Sequence, residues 1–329
     1  MDPIWLALPD EYKGNFYIGR QTRHNPPTWA DVVVVAASGD HNFVSKGRRG
    51  PGGNKVVYDS QLNPIVRYTK PNKTFSPKIV RMEHGVGFSF GGDPDPGVSR
   101  HPSYAGGKGF FGKTDLFLCT NRWTQERWEQ YYPSVPTELI GCPKLDLNIP
   151  RKPMDSIPTV VVSFHWDCTL CGETRWVFPH YREAIIELAK RTDIRLLGHS
   201  HPRCNIAMKL FFETNGIDFI SSFDEVMRLA DVYINDSSST LYEFASLDRP
   251  VVILNAPWYR NYIHHGLRFW EYSDIGPAVW EPEHLSSAVS DAIERDEKFR
   301  DARREAIVHV FPFKGSSASK AAQAILNLN

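Results

Sequence analysis

The chain has 329 residues, of which 41% are hydrophobic, and its 38 basic residues balance 38 acidic ones. This length allows two domains with separate cores, and the balanced charge argues against nucleic acid as a bulk partner. No apolar run approaches the roughly 20 residues of a membrane-spanning helix, and the N-terminus lacks a signal-peptide pattern. Five cysteines without a framework spacing indicate a reducing compartment, so we expect a cytoplasmic protein.

The first half of the sequence has the pattern of a parallel α/β domain. Short β-branched or apolar runs predict strands at residues 31–36, 56–68 (two short strands), 78–82, 115–120 and 137–140. A helix is predicted at residues 124–132, with Thr124 as its N-cap. The order strand, helix, strand from residue 115 onward is a βαβ unit, which gives a parallel sheet.

His84 follows the predicted strand at 78–82 and precedes a glycine. Open α/β sheets place their chemistry at the carboxyl ends of strands. An imidazole at that position can act as a general base near neutral pH. A hydrogen-bonded loop histidine is the alternative, and spacing alone does not decide between the two.

A second α/β series follows a segment with three prolines at residues 148–158, which is the predicted linker. We therefore expect domains at residues 1–150 and 151–329. In the second domain, strands are predicted at 159–164, 194–197, 219–221, 232–235, 251–254 and 277–280. Helices are predicted at 180–191, 205–215, 223–230, 240–247, 284–293 and 317–328.

An abrupt polar turn, Asp236 to Ser239, separates the strand at 232–235 from the helix at 240–247. The unpaired N–H groups and the positive dipole end of a helix N-terminus bind phosphate. A plain N-cap is the alternative, but one cap needs a single residue and four polar positions occur in a row. Glu243 lies one helical turn further on, where its carboxylate can reach a sugar hydroxyl attached to that phosphate.

One further group is a candidate for the same edge of the sheet. His201 and Arg203 follow the strand at 194–197, and together they could neutralise a diphosphate. A surface loop is the alternative interpretation. A third cluster, His165 with Cys168 and Cys171, has some zinc character, but only one ligand pair is evident and we predict loop thiols. Neither a G-x-S-x-G elbow nor a P-loop is present.

Taken in order, these motifs resemble the CDP-glycerol glycerophosphotransferases of teichoic acid synthesis and, more distantly, the non-hydrolysing UDP-N-acetylglucosamine epimerases. Glu83-His-Gly-Val86 is similar to the family's His-Gly-Thr, and Gly141-Cys-Pro-Lys-Leu-Asp146 to its Gly-Tyr-Pro-Arg-x-Asp. His201-Pro202 matches its His-Pro, and Asp236-Ser-Ser-Ser-Thr-Leu-Tyr-Glu243 its Asp-x-Ser-Ser-x-x-Phe-Asp/Glu. Leu247-Asp-Arg-Pro250 and Gly315-Ser-Ser-Ala-Ser319 are similar to its last two motifs.

The resemblance implies the GT-B fold, two Rossmann-like domains that face each other across a cleft. It implies a metal-independent transferase without a cofactor, whose donor is CDP-glycerol-like or a nucleotide sugar. The donor-binding residues would be Arg203, Asp236, Ser237, Ser238, Ser239, Thr240 and Glu243. Ser238 to Thr240 would meet the phosphates and Glu243 the ribose.

The same resemblance implies that His201 stabilises the charge that develops on the leaving nucleotide. It also implies that His84 is the general base for the acceptor hydroxyl. The acceptor stays open: a polymer, a lipid-linked glycan, a protein or a modified nucleic acid. A lipid-linked acceptor would bring peripheral membrane attachment. A nucleotide-sugar epimerase of the same fold and a non-catalytic nucleotide- or glycan-binding module are the alternative functions.

Overall fold

A computed structural model of the chain describes residues 2–9, 32–35, 48–49, 55–58, 64–68, 78–82, 85–86, 114–147, 149–150, 156–167, 175–259 and 268–328. The chain divides into two compact units. The first comprises residues 1–87, 103–146 and 313–329, and the second comprises residues 88–102 and 147–312. None of the helices described in these ranges is both long and apolar enough to cross a bilayer.

The first unit contains a parallel sheet in the order β1-β5-β6-β7. Its strands are β1 (Val32–Val35), β5 (Lys78–Met82), β6 (Leu116–Cys119) and β7 (Thr137–Leu139). A small antiparallel sheet consists of β2 (Arg48–Arg49), β3 (Lys55–Tyr58) and β4 (Pro64–Tyr68). The predicted parallel α/β arrangement is therefore confirmed, because β6 is buried along its whole length and pairs in parallel on both edges.

Helix α2 (Arg122–Tyr131) connects β6 to β7, and it begins two residues earlier than predicted. Its N-cap is Asn121 and not Thr124. The Asn121 carboxamide oxygen accepts the Thr124 backbone N–H at 3.0 Å and the Thr124 hydroxyl at 2.9 Å. The Asn121 amide also donates to the carbonyl of Val86 at 2.7 Å, so the cap fixes the loop that follows β5.

The last helix of the chain, α9 (Ser317–Leu326), packs in the first unit beside α1 (Asp2–Ala7). Ile4 and Ile325 belong to the same hydrophobic cluster as strand residues of the sheet. Asp146 accepts the backbone N–H groups of Gly315 at 2.7 Å and Ala318 at 2.6 Å, at the start of α9. The predicted domain boundary at residue 150 assigns this helix to the second domain, whereas the structure packs it with the first unit.

The second unit contains a six-stranded, fully parallel sheet in the order β10-β9-β8-β11-β12-β13. Its strands are β8 (Thr159–Phe164), β9 (Arg195–Ser200), β10 (Asp218–Phe219), β11 (Val232–Asn235), β12 (Val251–Leu254) and β13 (Ala278–Val279). Numbered within the unit, this is the order 3-2-1-4-5-6 of a dinucleotide-binding fold. The strand order reverses between β8 and β11, and ligands of such sheets bind outside the carboxyl ends at that point.

The helices of the second unit agree with the prediction to within a few residues, with one exception. They are α3 (Phe178–Leu188), α4 (Asn205–Thr214), α5 (Phe223–Leu229), α6 (Thr240–Ala245), α7 (Leu285–Glu294) and α8 (Glu297–Val310). The exception is α8, which was not predicted. Its inward face includes Arg303, which is 1% exposed and pairs with Asp296 at 2.8 Å, so a charged residue interrupts the apolar face formed by Ala306 and Val310.

Candidate functional site

Three polar segments meet at the reversal point of the second unit's sheet. His165 follows β8, His201 follows β9, and Asp236 follows β11. Because the strands are parallel and β8 lies between β9 and β11, all three segments lie on one edge of the sheet. His201 and Asp236 are the predicted residues at this edge, and the structure adds the segment after β8.

Asn235, the last residue of β11, holds the polar turn in place. Its carboxamide oxygen accepts the backbone N–H of Ser238 at 3.2 Å. Its amide group donates to the carbonyl of Ser163 at 3.2 Å and to the Tyr233 hydroxyl oxygen at 3.1 Å. Sequence reasoning missed this residue, although an asparagine directly before a Ser-rich turn favours such a side-chain bond.

The hydroxyl groups of the turn are joined in a network. The Ser238 hydroxyl oxygen accepts the Thr240 hydroxyl at 3.0 Å, and the hydroxyls of Thr240 and Tyr233 lie 2.9 Å apart. Burial raises the pKa of Tyr233, so its phenol is neutral and can donate. Helix α6 begins at Thr240, and the side chain of its N-cap residue Ser239 makes no capping bond. The plain N-cap interpretation therefore does not describe Ser239.

Asp236 and Ser237 point into the protein. Asp236 is fully buried, and one carboxylate oxygen accepts the backbone N–H of His165 at 2.9 Å. Burial raises the pKa of Asp236 to about 7, while backbone N–H donors act in the opposite direction. Its other carboxylate oxygen and the Ser237 hydroxyl are buried without a hydrogen-bond partner among the described residues. The Asp236 side chain thus joins the loops after β8 and β11.

The segment after β8 packs against the segment after β9. The rings of His165 and His201 lie edge to face, with centroids 5.1 Å apart. The guanidinium carbon of Arg203 lies 4.3 Å from the centroid of the Trp166 ring. The Arg203 backbone N–H donates to Nδ1 of His201 at 3.1 Å, so the neutral imidazole carries its proton on Nε2.

Sequence reasoning missed Trp166 and considered His165 only as a zinc ligand. Their position directly after a buried strand was the available signal, since the carboxyl end of each strand reaches the site edge. Strand β9 also extends three residues beyond its predicted end, to Ser200. His199 is consequently a sheet residue, and its Nδ1 lies 2.8 Å from the Ser163 hydroxyl.

Glu243 lies on α6 and is 7% exposed. Its backbone N–H donates to the carbonyl of Ser239 at 3.2 Å, which closes the first turn of the helix.

Predicted residues His84, Cys168 and Cys171 lie outside the described residues. The described part of the chain contains no group of three or more side chains suited to a metal ion. The roles assigned to these residues stay predictions.

Comparison with known proteins connects this site to a family. Residues 172–327 match the family model described as CDP-Glycerol:Poly(glycerophosphate) glycerophosphotransferase. These residues belong to that family. The match includes His201, Arg203 and the whole polar turn. Comparison with curated protein sequences found no match.

The solved structures that resemble the chain agree with this assignment. One is the wall teichoic acid polymerase TagF in a variant form, with 17% identity, a TM-score of 0.58, and 91% of this chain and 73% of TagF covered. A TagF variant soaked with CDPG matches at 16% identity and a TM-score of 0.57, over 91% and 72% of the two chains. A UDP-N-acetylglucosamine 2-epimerase matches at 10% identity and a TM-score of 0.52, over 93% and 75%.

The predicted GT-B fold and the family resemblance are therefore confirmed. The structures show the GT-B fold, and the match over residues 172–327 supports a glycerophosphotransferase-like transferase. Both units contain a parallel sheet, and the second unit has the strand order of a dinucleotide-binding domain.

Proposed function

We propose that this transferase moves a glycerophosphate-type or glycosyl group from a nucleotide-diphospho donor to an acceptor hydroxyl. The observation that carries the proposal is the family match over residues 172–327, which covers the polar turn and His201 at the reversal point of the sheet. The description of the family names CDP-glycerol, and TagF was soaked with CDPG. CDP-glycerol is therefore the first donor to test.

The donor diphosphate is proposed to lie against the turn between β11 and α6. Ser238, Ser239 and Thr240 are partly exposed there, at the start of α6. His201 and Arg203 supply donors and positive charge from the end of β9. Charge that develops on the leaving nucleotide would be stabilised by these groups, because preorganised donors are strongest where water is excluded.

The remaining motif residues receive different roles. Asp236 and Ser237 are buried, so we assign them to the shape of the turn and not to direct contact with the donor. Glu243 is 7% exposed, and we assign to it the role that the resemblance implies, contact with the ribose.

With CDP-glycerol, the acceptor oxygen would form a bond to the phosphorus that carries the glycerol. The phosphoanhydride bond would break, and CMP would leave with its electron pair. His84 is proposed to take the proton of the acceptor hydroxyl during the attack. No metal or cofactor enters this scheme.

The test is nucleotide release by the full chain from CDP-glycerol and from a panel of nucleotide sugars, each with and without glycerol phosphate polymers as acceptor. Release of CMP that depends on the acceptor supports the proposal. An isomerised nucleotide sugar formed without acceptor would favour an epimerase. Binding of donor without any release would indicate a binding module, and either result would overturn the transferase proposal.

A further inference from the structure

Two consecutive residues after β8 pack against two residues after β9 in matched pairs. His165 contacts the His201 ring, and Trp166 lies under the Arg203 guanidinium. The Trp166 and His201 rings also lie within 6.2 Å of each other. The guanidinium of Arg203, in the loop after β9, thus packs on the face of the Trp166 indole.

The backbone on each side of Trp166 is held by a carboxylate. On one side, buried Asp236 accepts the His165 N–H at 2.9 Å. On the other side, Asp167 forms a two-pronged ion pair with Arg175, at 2.7 and 3.0 Å, and accepts the Trp176 N–H at 3.0 Å. The ion pair lowers the pKa of Asp167, so this carboxylate stays charged near neutral pH. The indole therefore lies on a fixed segment.

Arg203 itself is exposed, and an exposed arginine samples many rotamers. Contact with an aromatic face restricts those rotamers but leaves the N–H donors at the rim of the guanidinium plane available. The backbone N–H bond to His201 fixes the base of the side chain as well. An arginine held in this way binds an anion at a smaller entropy cost than a free one.

We propose that Trp166 is a positioning residue that holds the Arg203 guanidinium beside His201 to receive one phosphate group of the donor diphosphate. This inference rests on the proposed function only for the identity of the donor. The inferred role of Trp166 requires only that the ligand contains a diphosphate. Stacking of the nucleotide base on Trp166 would be a different role, and its loss in W166A would weaken CMP and CDP binding equally.

The test is a double-mutant cycle on ligand binding, measured by calorimetry with the full chain. The variants are W166A, R203A and the double variant, and the probes are CDP, CMP and inorganic pyrophosphate. W166A should weaken CDP and pyrophosphate binding about two- to fivefold, the range expected when a cation–π contact is lost. W166A should change CMP binding less than CDP binding. In the R203A background, the W166A change should have little further effect.

W166F tests the aromatic face alone and also covers the case in which W166A does not fold. It should retain most of the CDP affinity. Trp123→Ala, in α2 of the first unit, is the matched control and should leave CDP binding unchanged. In turnover of CDP-glycerol, W166A should raise KM more than it lowers kcat, because the contact is present in the ground state as well.

Independent, additive losses in the double variant would overturn the inference, as would equal losses for CMP and CDP or the absence of CDP binding by the wild-type chain. If the coupling is found but CDP-glycerol is never turned over, the transferase proposal fails and the positioning role of Trp166 stands. Failure of the one proposal is therefore distinguishable from failure of the other.

Discussion

The backbone N–H of His165 donates a 2.9 Å hydrogen bond to the buried carboxylate of Asp236. Together with the bond from Asn235 to the Ser163 carbonyl, it joins the carboxyl ends of β8 and β11, the two neighbouring strands between which the order of the sheet reverses. The segment that carries His165 and Trp166 and the polar turn after β11 are thereby fixed relative to each other.

Asp236→Asn should change how stability depends on pH. Burial raises the pKa of Asp236 to about 7 in the folded chain, from its ordinary value near 3.8. Between these values the folded state binds more protons than the unfolded state, so the contribution of Asp236 to the free energy of unfolding falls as pH rises and is constant above about 7. The asparagine variant lacks this fall and can still accept the His165 N–H.

Urea unfolding of both proteins at several pH values between 4 and 8 measures the effect. The stability of the variant relative to the wild type should increase with pH, by at most about 1.4 kcal/mol per pH unit between pH 4 and 7. Taking the difference cancels the groups that titrate in both proteins. Two parallel curves across this window would contradict the prediction.

Asn235→Ala should destabilise the second unit. The substitution removes the acceptor of the Ser238 N–H and the donor to the Ser163 carbonyl and the Tyr233 hydroxyl. Loss of buried hydrogen bonds at a turn is expected to cost about 2–4 kcal/mol in the free energy of unfolding. Asn327→Ala, at an exposed helix end, is the control and should cost less than about 0.5 kcal/mol. An equally small change at position 235 would show that the network adds little.

Gly198→Ala should introduce a steric overlap inside the second unit. A Cβ atom on Gly198 would overlap the ring of Phe212, which lies on α4. Overpacking of this kind costs about 1–3 kcal/mol in the free energy of unfolding. Phe212→Leu makes room, so the double variant should lose less than the sum of the two single losses. A strictly additive pair, measured by urea unfolding, would argue against the overlap.

His84→Ala should abolish turnover of CDP-glycerol while donor binding remains close to that of the wild type. The proposed base acts on the acceptor hydroxyl and does not contact the donor phosphates. Nucleotide release and CDP calorimetry on the same preparation measure the two quantities. His309→Ala, on the exposed face of α8, is the control for an arbitrary histidine loss. Undiminished turnover would remove His84 from the mechanism.

Most strands of the second unit could be predicted from the sequence, because β8, β11 and β12 are buried on both faces and read as continuous apolar runs. The end of β9 could not, since a histidine does not fit the pattern of a buried strand, and His199 is buried beside the Ser163 hydroxyl and the Phe223 ring. Helix α8 was missed for a similar reason. Its inward Arg303 is neutralised by Asp296, and a sequence pattern does not show which charges are paired.

The sequence predicts that His201 and Asp236 lie at one edge of the sheet, as they do in the structure, but it does not predict the direction of their side chains. Aspartate is a residue type that often contacts ligands. Only the position of the backbone after β8 shows that the Asp236 carboxylate accepts the His165 N–H. Another motif residue, Arg249, proved to be structural. It is buried and donates to the carbonyls of Met227 at 2.6 Å and Ala230 at 2.7 Å, at the end of α5.

The packing of α9 beside α1 has a practical consequence for dissecting the molecule. A fragment truncated after residue 312 would strip the cluster around Ile4 and Leu118 of Ala321 and Ile325, and would leave Asp146 without two of its N–H donors. Deletion of residues 313–329 should therefore destabilise the first unit, most of which lies far from these residues in sequence. A recombinant fragment of the second unit should therefore end at residue 312. A recombinant fragment of the first unit needs residues 313–329 fused to it.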